Sequence, residues 1–242
     1  MAQPHLLTLT ETQNMFSKSS KLPNQHGINV LAMIWVYLIK ACGRKKARCV
    51  ANGSPKQKGS VTLANTYAAC LEQAGARIFW ATCALKNKVV YGADMSNAFA
   101  EAPAPKAPLY LKVDETYKNW WFKKTGENLD GDYYVKVQHA IQGPPESPRL
   151  WQLFIDKILT EIGFRATTHE PCVYKLHNNT FNKEVFLLRQ VDDFALGCDS
   201  PETAEAIWKL IDDKMSAPLK HEGLLPLFNG IDVLVHIMML ID

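Results

Sequence analysis

Acidic residues are absent from a long stretch near the N-terminus of this 242-residue chain. No aspartate or glutamate lies between Glu11 and Glu72, although the chain as a whole carries 24 acids against 27 lysines and arginines. The stretch contains nine basic residues: Lys18, Lys21, Lys40, Arg44, Lys45, Lys46, Arg48, Lys56 and Lys58. A block of one sign is typical of a surface that contacts a polyphosphate or a nucleic-acid backbone. The alternative is an ordinary solvated basic face.

Several other features are missing. The six cysteines form no Cys-x-x-Cys pair, which argues against a disulfide-rich secreted fold and against a zinc ribbon. The N-terminus lacks the charged start and long apolar core of a signal peptide. The apolar run 28–39 is shorter than the roughly 20 residues that span a bilayer. We therefore expect an intracellular protein, cytoplasmic rather than secreted, with reduced thiols and no membrane partner.

The pattern of apolar segments predicts an α+β fold. An apolar content of 47% is sufficient for a core in one domain or two small lobes. We expect a loosely ordered lead-in over 1–26, a folded domain over 27–233 and a short apolar tail over 234–242, which could form an exposed strand. Strands, helices and hairpins alternate as in a split βαββαβ antiparallel sheet backed by two helices.

Local signals predict the individual elements. Two strands within 28–53 form a hairpin around a basic turn at 43–46. Helices are predicted over 62–87, with a break possible at Gly75, over 148–162 with Ser147 as cap, and from Ser200 to about Met215. Strands at 110–113 and 133–137 flank a stretch that contains the turn-rich segment 123–131.

Two adjacent carboxylates, Asp192 and Asp193, interrupt the apolar stretch 185–197 where the chain must reverse. Like charges side by side raise each other's proton affinity, and a hard cation such as Mg²⁺ or Mn²⁺ is the usual compensation. Asp94 ends a second apolar run, 89–93, so a neighbouring strand could deliver a third carboxylate. Three carboxylates at the ends of two strands suit two-metal phosphoryl transfer. The alternative is an Asp-Asp turn without a ligand.

Five segments, in order, resemble the reverse transcriptase of copia-type LTR retrotransposons. The resemblance extends from about residue 28 to residue 233. The segments are Lys46-Ala47-Arg48-Cys49-Val50-Ala51-Asn52-Gly53, Asp94-Met95-Ser96-Asn97-Ala98-Phe99, Ser147-Pro148-Arg149-Leu150-Trp151, Asp192-Asp193 and Leu227-Phe228-Asn229-Gly230-Ile231-Asp232-Val233. This resemblance implies the fingers and palm of an RNA-directed DNA polymerase.

The resemblance also implies roles for the aspartates. Asp94 and Asp192 would bind both catalytic cations, Mg²⁺ or Mn²⁺, and Asp193 would be more peripheral. The implied reaction is attack of a primer 3′-hydroxyl on a dNTP. The implied partners are an RNA or DNA primer–template, the dNTP and the remaining domains of a retrotransposon polyprotein.

The implied nucleotide-binding residues lie in other segments. Arg48 matches the arginine that grips the triphosphate, and Lys46 could contact the same anion. Phe99 would pack under the sugar and exclude a 2′-hydroxyl, with an ordinary core aromatic as the alternative. Gln142 and Gly143 would lie beside the nucleotide, with a plain turn as the alternative.

Two departures from the family pattern alter these expectations. Gln190 stands where a tyrosine usually precedes Val-Asp-Asp, so its contact with the primer end must differ: an amide can hydrogen-bond but offers no ring. Beyond Val233 only nine residues follow, with no thumb, connection or RNase H segment. We therefore expect a truncated or decayed element with weak or undetectable processive synthesis.

Two other functions remain open at this stage. One is a catalytically inactive nucleic-acid-binding remnant of the same domain. The other is an unrelated metal-dependent phosphotransferase, which would leave the remaining motif matches unexplained.

Overall fold

The computed structural model describes residues 15–17, 21–22, 28–40, 43–54, 63–177, 184–228 and 231–233. The chain divides into two compact units, one made of 1–68 and 98–154 and the other of 69–97 and 155–242. The predicted tail over 234–242 and most of the lead-in lie outside the described residues. Within the lead-in, Met15 and Phe16 are buried, and Phe16 forms a β-bridge with Val137, so these two positions are packed.

The elements are named here in chain order. The strands are β1 (Asn29–Ile39), β2 (Lys45–Ala51), β3 (Val89–Asp94), β4 (Leu109–Lys112), β5 (Tyr134–Lys136), β6 (Phe164–Ala166), β7 (Val173–Leu176), β8 (Phe186–Gln190), β9 (Asp193–Cys198), β10 (Lys220–Leu224), β11 (Leu227–Phe228) and β12 (Ile231–Asp232). The helices are α1 (Leu63–Thr66), α2 (Gln73–Leu85), α3 (Glu115–Thr125), α4 (Ser147–Ile162) and α5 (Pro201–Asp212).

The first unit is built on a four-stranded sheet in the order β2-β1-β4-β5. Strands β1 and β2 pair antiparallel, which confirms the hairpin predicted around the basic turn. Strand β1 pairs parallel with β4, and β4 pairs antiparallel with β5. Leu31, Leu111, Val135, Tyr117 and Trp120 belong to the apolar core of this unit.

The second unit has a six-stranded sheet in the order β10-β3-β9-β8-β7-β6. The four strands of the predicted βαββαβ pattern are, in chain order, β3, β8, β9 and β10. Helix α4 precedes β8, and α5 lies between β9 and β10. Their spatial order is fourth, first, third, second, which is the split βαββαβ arrangement. The α+β prediction is therefore confirmed, and the β6–β7 hairpin extends the sheet beyond β8.

Helices cover both faces of this sheet. Phe79 and Cys83 of α2 form an apolar cluster with Val90, Leu188 and Ala195. On the other face, Phe194 packs edge-on against Trp208 of α5, with ring centroids 6.5 Å apart. Because side chains alternate along a strand, this burial on both faces explains why β8 and β9 read as nearly continuous apolar runs.

Helices α4 and α5 agree with their predictions. The apolar residues Ala204, Ile207, Trp208 and Ile211 recur at helical spacing along α5, and all four are buried. Ser200 caps that helix through a hydrogen bond from the Thr203 backbone N–H. Ser147 differs from its predicted capping role, since it is the first helical residue and its hydroxyl donates to the Ile141 carbonyl at 2.6 Å.

Two predictions for the helices were wrong. The break within 62–87 falls at residues 67–72, and Gly75 lies inside α2. Within α2, Ile78 and Leu85 are 65% and 85% exposed, whereas Phe79 and Cys83 are buried. Helix α3 was also missed, although the Asp114 carboxylate caps its start by accepting from the Tyr117 N–H.

Candidate functional site

The turn between β8 and β9 consists of Val191 and Asp192, because Gln190 pairs with Asp193 across the hairpin. Val191 has a φ of 54°, a left-handed conformation that costs a non-glycine residue about 1–2 kcal/mol. Outside the hairpin, the backbone N–H of Met95 donates to the Asp192 carbonyl at 2.8 Å. This two-residue turn therefore fixes the position of the Asp192 backbone, from which its carboxylate projects.

Strand β3 brings the third aspartate to the same place. Asp94 pairs directly with Asp193 in the antiparallel register of β3 and β9. Directly opposed residues project from the same face of a sheet, with Cβ atoms roughly 4.5–5.5 Å apart. Asp94 and Asp192 are half-buried, and Asp193 is exposed. The structure therefore brings together the three aspartates that the sequence selected.

The electrostatics of this cluster favour a cation. Desolvation, followed by the charges of Asp192, Asp94 and Glu222, raises the pKa of Asp193 to about 6. Glu222 lies at the bulge of β10, where Lys220 pairs with Asp94. The Lys220 ammonium is 3.1 Å from the Glu222 carboxylate. Glu222 was not predicted from the sequence, because no local pattern marks an exposed edge strand as the neighbour of β3.

The donor set fits a hard divalent cation only as an open site. Carboxylate oxygens are the ligands that Mg²⁺ and Mn²⁺ prefer. In the part of the chain that the structure describes, no three His, Cys, Asp or Glu side chains converge as a preformed cage. Mg²⁺ usually takes one or two carboxylates and completes its shell with water and substrate phosphates. Asp94 and Asp192 could therefore contribute ligands that a phosphorylated substrate would complete.

A hollow of about 280 Å³ borders the cluster within the second unit. Its lining consists of Ala93, Asp193, Phe194, Glu222, Leu225, Leu227 and Phe228. Two carboxylates thus face a mostly apolar wall, which gives the surroundings of Asp193 a lower polarity than open water and is consistent with its raised pKa.

Gln190, which was predicted to contact the primer end, has a partner within the second unit. Its side-chain Oε1 accepts a hydrogen bond from the backbone N–H of Leu71 at 3.1 Å. Gln190 also pairs with Asp193, so its backbone lies directly beside the aspartate cluster. Contact with a primer stays a prediction.

Lys46 and Arg48 lie on the same face of β2 in the first unit. They alternate with Ala47 and Cys49, which are buried, and are themselves half-buried. Across the hairpin, Arg48 pairs with Val36 and Lys46 with Leu38, giving a face with two cations beside aliphatic side chains.

Gln142 and Gly143 lie against the end of β2. The Ala51 N–H donates to the Gln142 carbonyl at 2.8 Å. Gly143 has a φ of 118°, and a Cβ there would lie 1.8 Å from the Ala51 carbonyl oxygen. A Cβ on Gly53 would likewise lie 2.1 Å from the Gly143 carbonyl oxygen. The close approach that glycine permits here is therefore between two backbone segments, and a role beside a nucleotide stays a prediction.

Phe99 is half-buried in a short 3₁₀ turn, Ala98–Glu101, of the first unit. Its position under the sugar stays a prediction. In sum, the structure joins Asp94, Asp192, Asp193 and Gln190 in the second unit. Lys46, Arg48, Phe99, Gln142 and Gly143 belong to the first.

A split βαββαβ sheet with three aspartates at the ends of adjacent strands β3 and β9 has the form of a polymerase palm. Residues 17–239 match the family described as "Reverse transcriptase (RNA-dependent DNA polymerase)", and the chain belongs to this family. The copia-type retrotransposon assignment made from the motifs is confirmed by this match together with the relatives described next.

Two relatives come from Arabidopsis thaliana. The chain is 22% identical over 187 residues to the Retrovirus-related Pol polyprotein from transposon RE1, covering 74% of this chain. It is 22% identical over 181 residues to the corresponding polyprotein from transposon RE2, covering 72% of this chain. The matched region spans 12% of the length of each relative.

Among solved structures, the chain is similar to one titled "Crystal structure of Prototype Foamy Virus Protease-Reverse Transcriptase (native)". The TM-score is 0.40 at 15% identity, covering 78% of this chain and 20% of the other. No helix within the described residues combines the length and the hydropathy needed to cross a membrane.

Proposed function

We propose that this chain is the fingers and palm part of an RNA-directed DNA polymerase that joins a dNTP to a primer 3′-hydroxyl. The observation that carries the proposal is the direct pairing of Asp94 with Asp193 beside the turn that holds Asp192. Family membership supports the reaction class. The substrates are an RNA or DNA primer–template and a deoxynucleoside triphosphate.

Asp94 and Asp192 would hold the divalent cation. When bound, Mg²⁺ or Mn²⁺ favours ionisation of the primer 3′-hydroxyl and offsets the charge of the triphosphate. The aspartates contribute position and negative charge, and neither forms a covalent bond to the substrate. Asp193, whose pKa is raised to about 6, would supply charge at the margin of the site.

Lys46 and Arg48 would bind the triphosphate. Their shared face of β2 supports this role, because a guanidinium can contact two phosphate oxygens at once and a neighbouring ammonium adds charge. The aliphatic residues opposite them, Val36 and Leu38, offer a surface for the uncharged part of the nucleotide. Phe99 would restrict the sugar at C2′, as the family resemblance implies.

Single-nucleotide primer extension on an RNA template tests this proposal. The 242-residue chain would be assayed with Mg²⁺ or Mn²⁺, next to Asp192→Asn and a matched control, Asp130→Asn, in which an exposed aspartate of the first unit is changed. We expect incorporation by the wild type and the control, and a loss of at least about 100-fold in Asp192→Asn. Circular dichroism would verify that the variants fold.

The second candidate is a nucleic-acid-binding remnant without catalysis. The exposed basic tip of the β1–β2 hairpin, with Arg44 and Lys45, favours it because phosphate binding needs no metal site. Absence of incorporation under every condition, with primer–template binding that is unchanged in Asp192→Asn, would replace the polymerase proposal by this one.

A further inference from the structure

The Gln190 side chain ties the Asp192 turn to a distant part of the chain. Its Oε1 accepts from the backbone N–H of Leu71, a residue 119 positions earlier. Gln190 is the last residue of β8, immediately before the turn, and it pairs with Asp193. A bond at this position acts directly on the geometry of both hairpin aspartates.

The segment 69–72, whose Leu71 N–H donates this bond, is held in place by further hydrogen bonds. Glu170 is 8% exposed, and its Oε2 accepts from the Glu72 N–H at 3.0 Å while its Oε1 accepts from the Cys172 N–H at 2.9 Å. The Cys172 thiol donates to the Ala69 carbonyl at 3.6 Å. Residues 69–72 are therefore bonded at three positions to side chains of the second unit, so Leu71 is a firm anchor and not a loose loop.

The sequence around Gly75 reflects the same arrangement. A Cβ on Gly75 would lie 2.5 Å from both Cγ and Oε2 of Glu170. Glycine thus leaves room for the carboxylate that caps the start of α2. The hydrogen bonds of residues 69–72 join positions about 100 residues apart in the chain. No local sequence pattern could therefore predict them.

The turn needs support from outside the hairpin. Val191 is β-branched and has a φ of 54°, a combination that persists only where the surroundings impose it. Two bonds flank it: Gln190 Oε1 to the Leu71 N–H before the turn, and the Met95 N–H to the Asp192 carbonyl within it. The second bond comes from the residue after Asp94, so both aspartate-bearing segments meet at this turn.

We propose that Gln190 is a positioning residue, whose amide oxygen holds the Asp192 turn in its cation-binding geometry by accepting from the Leu71 N–H. The inference rests on the proposed function for its consequence in catalysis, but the bond and its effect on cation binding are measurable without catalysis. It gives a role to the residue that departs from the family's tyrosine.

The first test uses the unaltered chain. A through-hydrogen-bond coupling between the Leu71 amide nitrogen and the Gln190 side-chain carbonyl carbon should be detectable by NMR, and the Leu71 amide should exchange slowly with solvent. Absence of the coupling together with fast exchange would overturn the proposal without any variant.

The second test compares three variants. Gln190→Met keeps the length but removes the acceptor, Gln190→Glu keeps an acceptor oxygen, and Gln73→Met changes an exposed glutamine of the same unit as a control. We expect Leu71 amide exchange to become roughly threefold to tenfold faster in Gln190→Met only. Equal protection in Gln190→Met and wild type would overturn the proposal.

The third test separates positioning from simple structural support. We expect the dissociation constant for Mn²⁺, measured by paramagnetic broadening of the Asp192 and Asp193 signals, to rise roughly threefold to tenfold in Gln190→Met and to stay unchanged in Gln73→Met. Any incorporation activity should lose kcat at constant KM for the dNTP. Faster Leu71 exchange with unchanged Mn²⁺ affinity would leave Gln190 merely structural and overturn the proposal. If even the wild type incorporates nothing, the polymerase proposal fails, while exchange and Mn²⁺ binding still decide this one.

Discussion

At the scale of single residues, the aspartate cluster and the adjoining turn lower the stability of the fold. Asp94 and Asp193 are opposed across β3 and β9, and like charges placed directly opposite each other destabilise a sheet. Val191 adds backbone strain at the turn next to them. Both costs fall on the few residues that the proposed chemistry requires, which is where strained or repelling groups are usually found in enzymes.

The raised pKa of Asp193 predicts how stability varies with pH when no divalent cation is present. The folded-state pKa of about 6 lies above 3.8, the ordinary pKa of an aspartate, so the folded protein binds the proton more tightly than the unfolded chain. The free energy of unfolding should therefore fall as the pH rises from about 4 to about 6, and then level off. Thermal unfolding in EDTA between pH 4 and pH 8 measures this, and adding Mg²⁺ should restore stability mainly above pH 6.

The substitution Asp193→Asn should remove the part of the pH dependence of stability that comes from ionisation of Asp193. Because Asp193 is exposed and solvent screens its charge, we expect a gain of only about 0.5–1 kcal/mol in EDTA at pH 7.5. Asp130→Asn, at an exposed position of the first unit, serves as control and should leave the difference between pH 4 and pH 7.5 unaltered. A variant as unstable as, or less stable than, the wild type at pH 7.5 would contradict the repulsion described here.

At the scale of elements, strand β2 divides its basic residues between two faces. Lys46 and Arg48 share one face, while Lys45 lies on the other, opposite Ile39. Neighbouring residues of a strand point to opposite faces, so separate substitutions at Lys45, Lys46 and Arg48 can distinguish a binding face from general charge. The same alternation buries Ala47 and Cys49 in the core of the first unit.

Arg48→Ala should raise the KM for the dNTP about tenfold or more, because a charge-assisted bond to phosphate contributes roughly 1.5–3 kcal/mol. Lys46→Ala should have a smaller effect of the same sign. Lys45→Ala is the matched control, since it removes the same charge from the opposite face and should leave KM nearly unchanged. Steady-state single-nucleotide incorporation measures all three. Equal effects at Lys45 and Arg48 would mean that only net charge matters.

The close packing around Gly143 predicts that a substitution at this position lowers stability strongly. An alanine there would place its Cβ 1.8 Å from the Ala51 carbonyl oxygen, and the backbone could not relax without losing the bond between Ala51 and Gln142. We expect Gly143→Ala to lower the free energy of unfolding by about 3 kcal/mol or more. Gly126→Ala is the control: its φ of 75° is also left-handed, but nothing lies within 4 Å of the added carbon. It should cost about 1 kcal/mol in chemical denaturation.

The predictions from sequence succeeded where the signal is local. The β1–β2 hairpin, α4 and α5 each carry a turn, a cap or an apolar stripe within their own residues, and all three are present. The aspartate cluster was predictable for the same reason, because each aspartate ends an apolar run. Helix α3 was missed because Tyr117, Trp120, Trp121 and Phe122 lower its helix propensity and suggest strand, although its tertiary packing buries Tyr117 and Trp120.

The remaining features depend on residues that are distant in the chain. Just before α2, the Glu72 N–H donates to Glu170, a residue 98 positions away in the chain. Glu222 reaches the aspartates only because β10 pairs with β3 across a bulge. A pairing between an exposed strand and a buried one leaves no periodic signal in the exposed partner, so neither contact could be read from one sequence.

At the scale of the whole molecule, charge is distributed unevenly over a chain whose net charge is only +3. The second unit carries the acidic cluster, and the first carries the basic stretch that begins this chain. Next to the tip of the β1–β2 hairpin, the Lys40 N–H donates to the Arg44 carbonyl, which joins the two strands beside their basic residues. A concentration of basic residues in one unit suits contact with the phosphates of a nucleic acid.

The basic tip predicts the salt dependence of nucleic-acid binding. Replacing Lys40, Arg44 and Lys45 together by glutamine should make binding less sensitive to salt. The negative slope of the log binding constant against log salt concentration should become smaller in magnitude by about 2–3, because each phosphate contact releases close to one counterion. Fluorescence anisotropy with a labelled primer–template between about 50 and 200 mM salt measures the slope. Glutamine at Lys106, Lys157 and Lys209, three exposed lysines elsewhere, removes the same charge and should change the slope by less than about 1. Equal slopes in the two triple variants would show that binding follows net charge alone, and the hairpin tip would then have no special part in holding the nucleic acid.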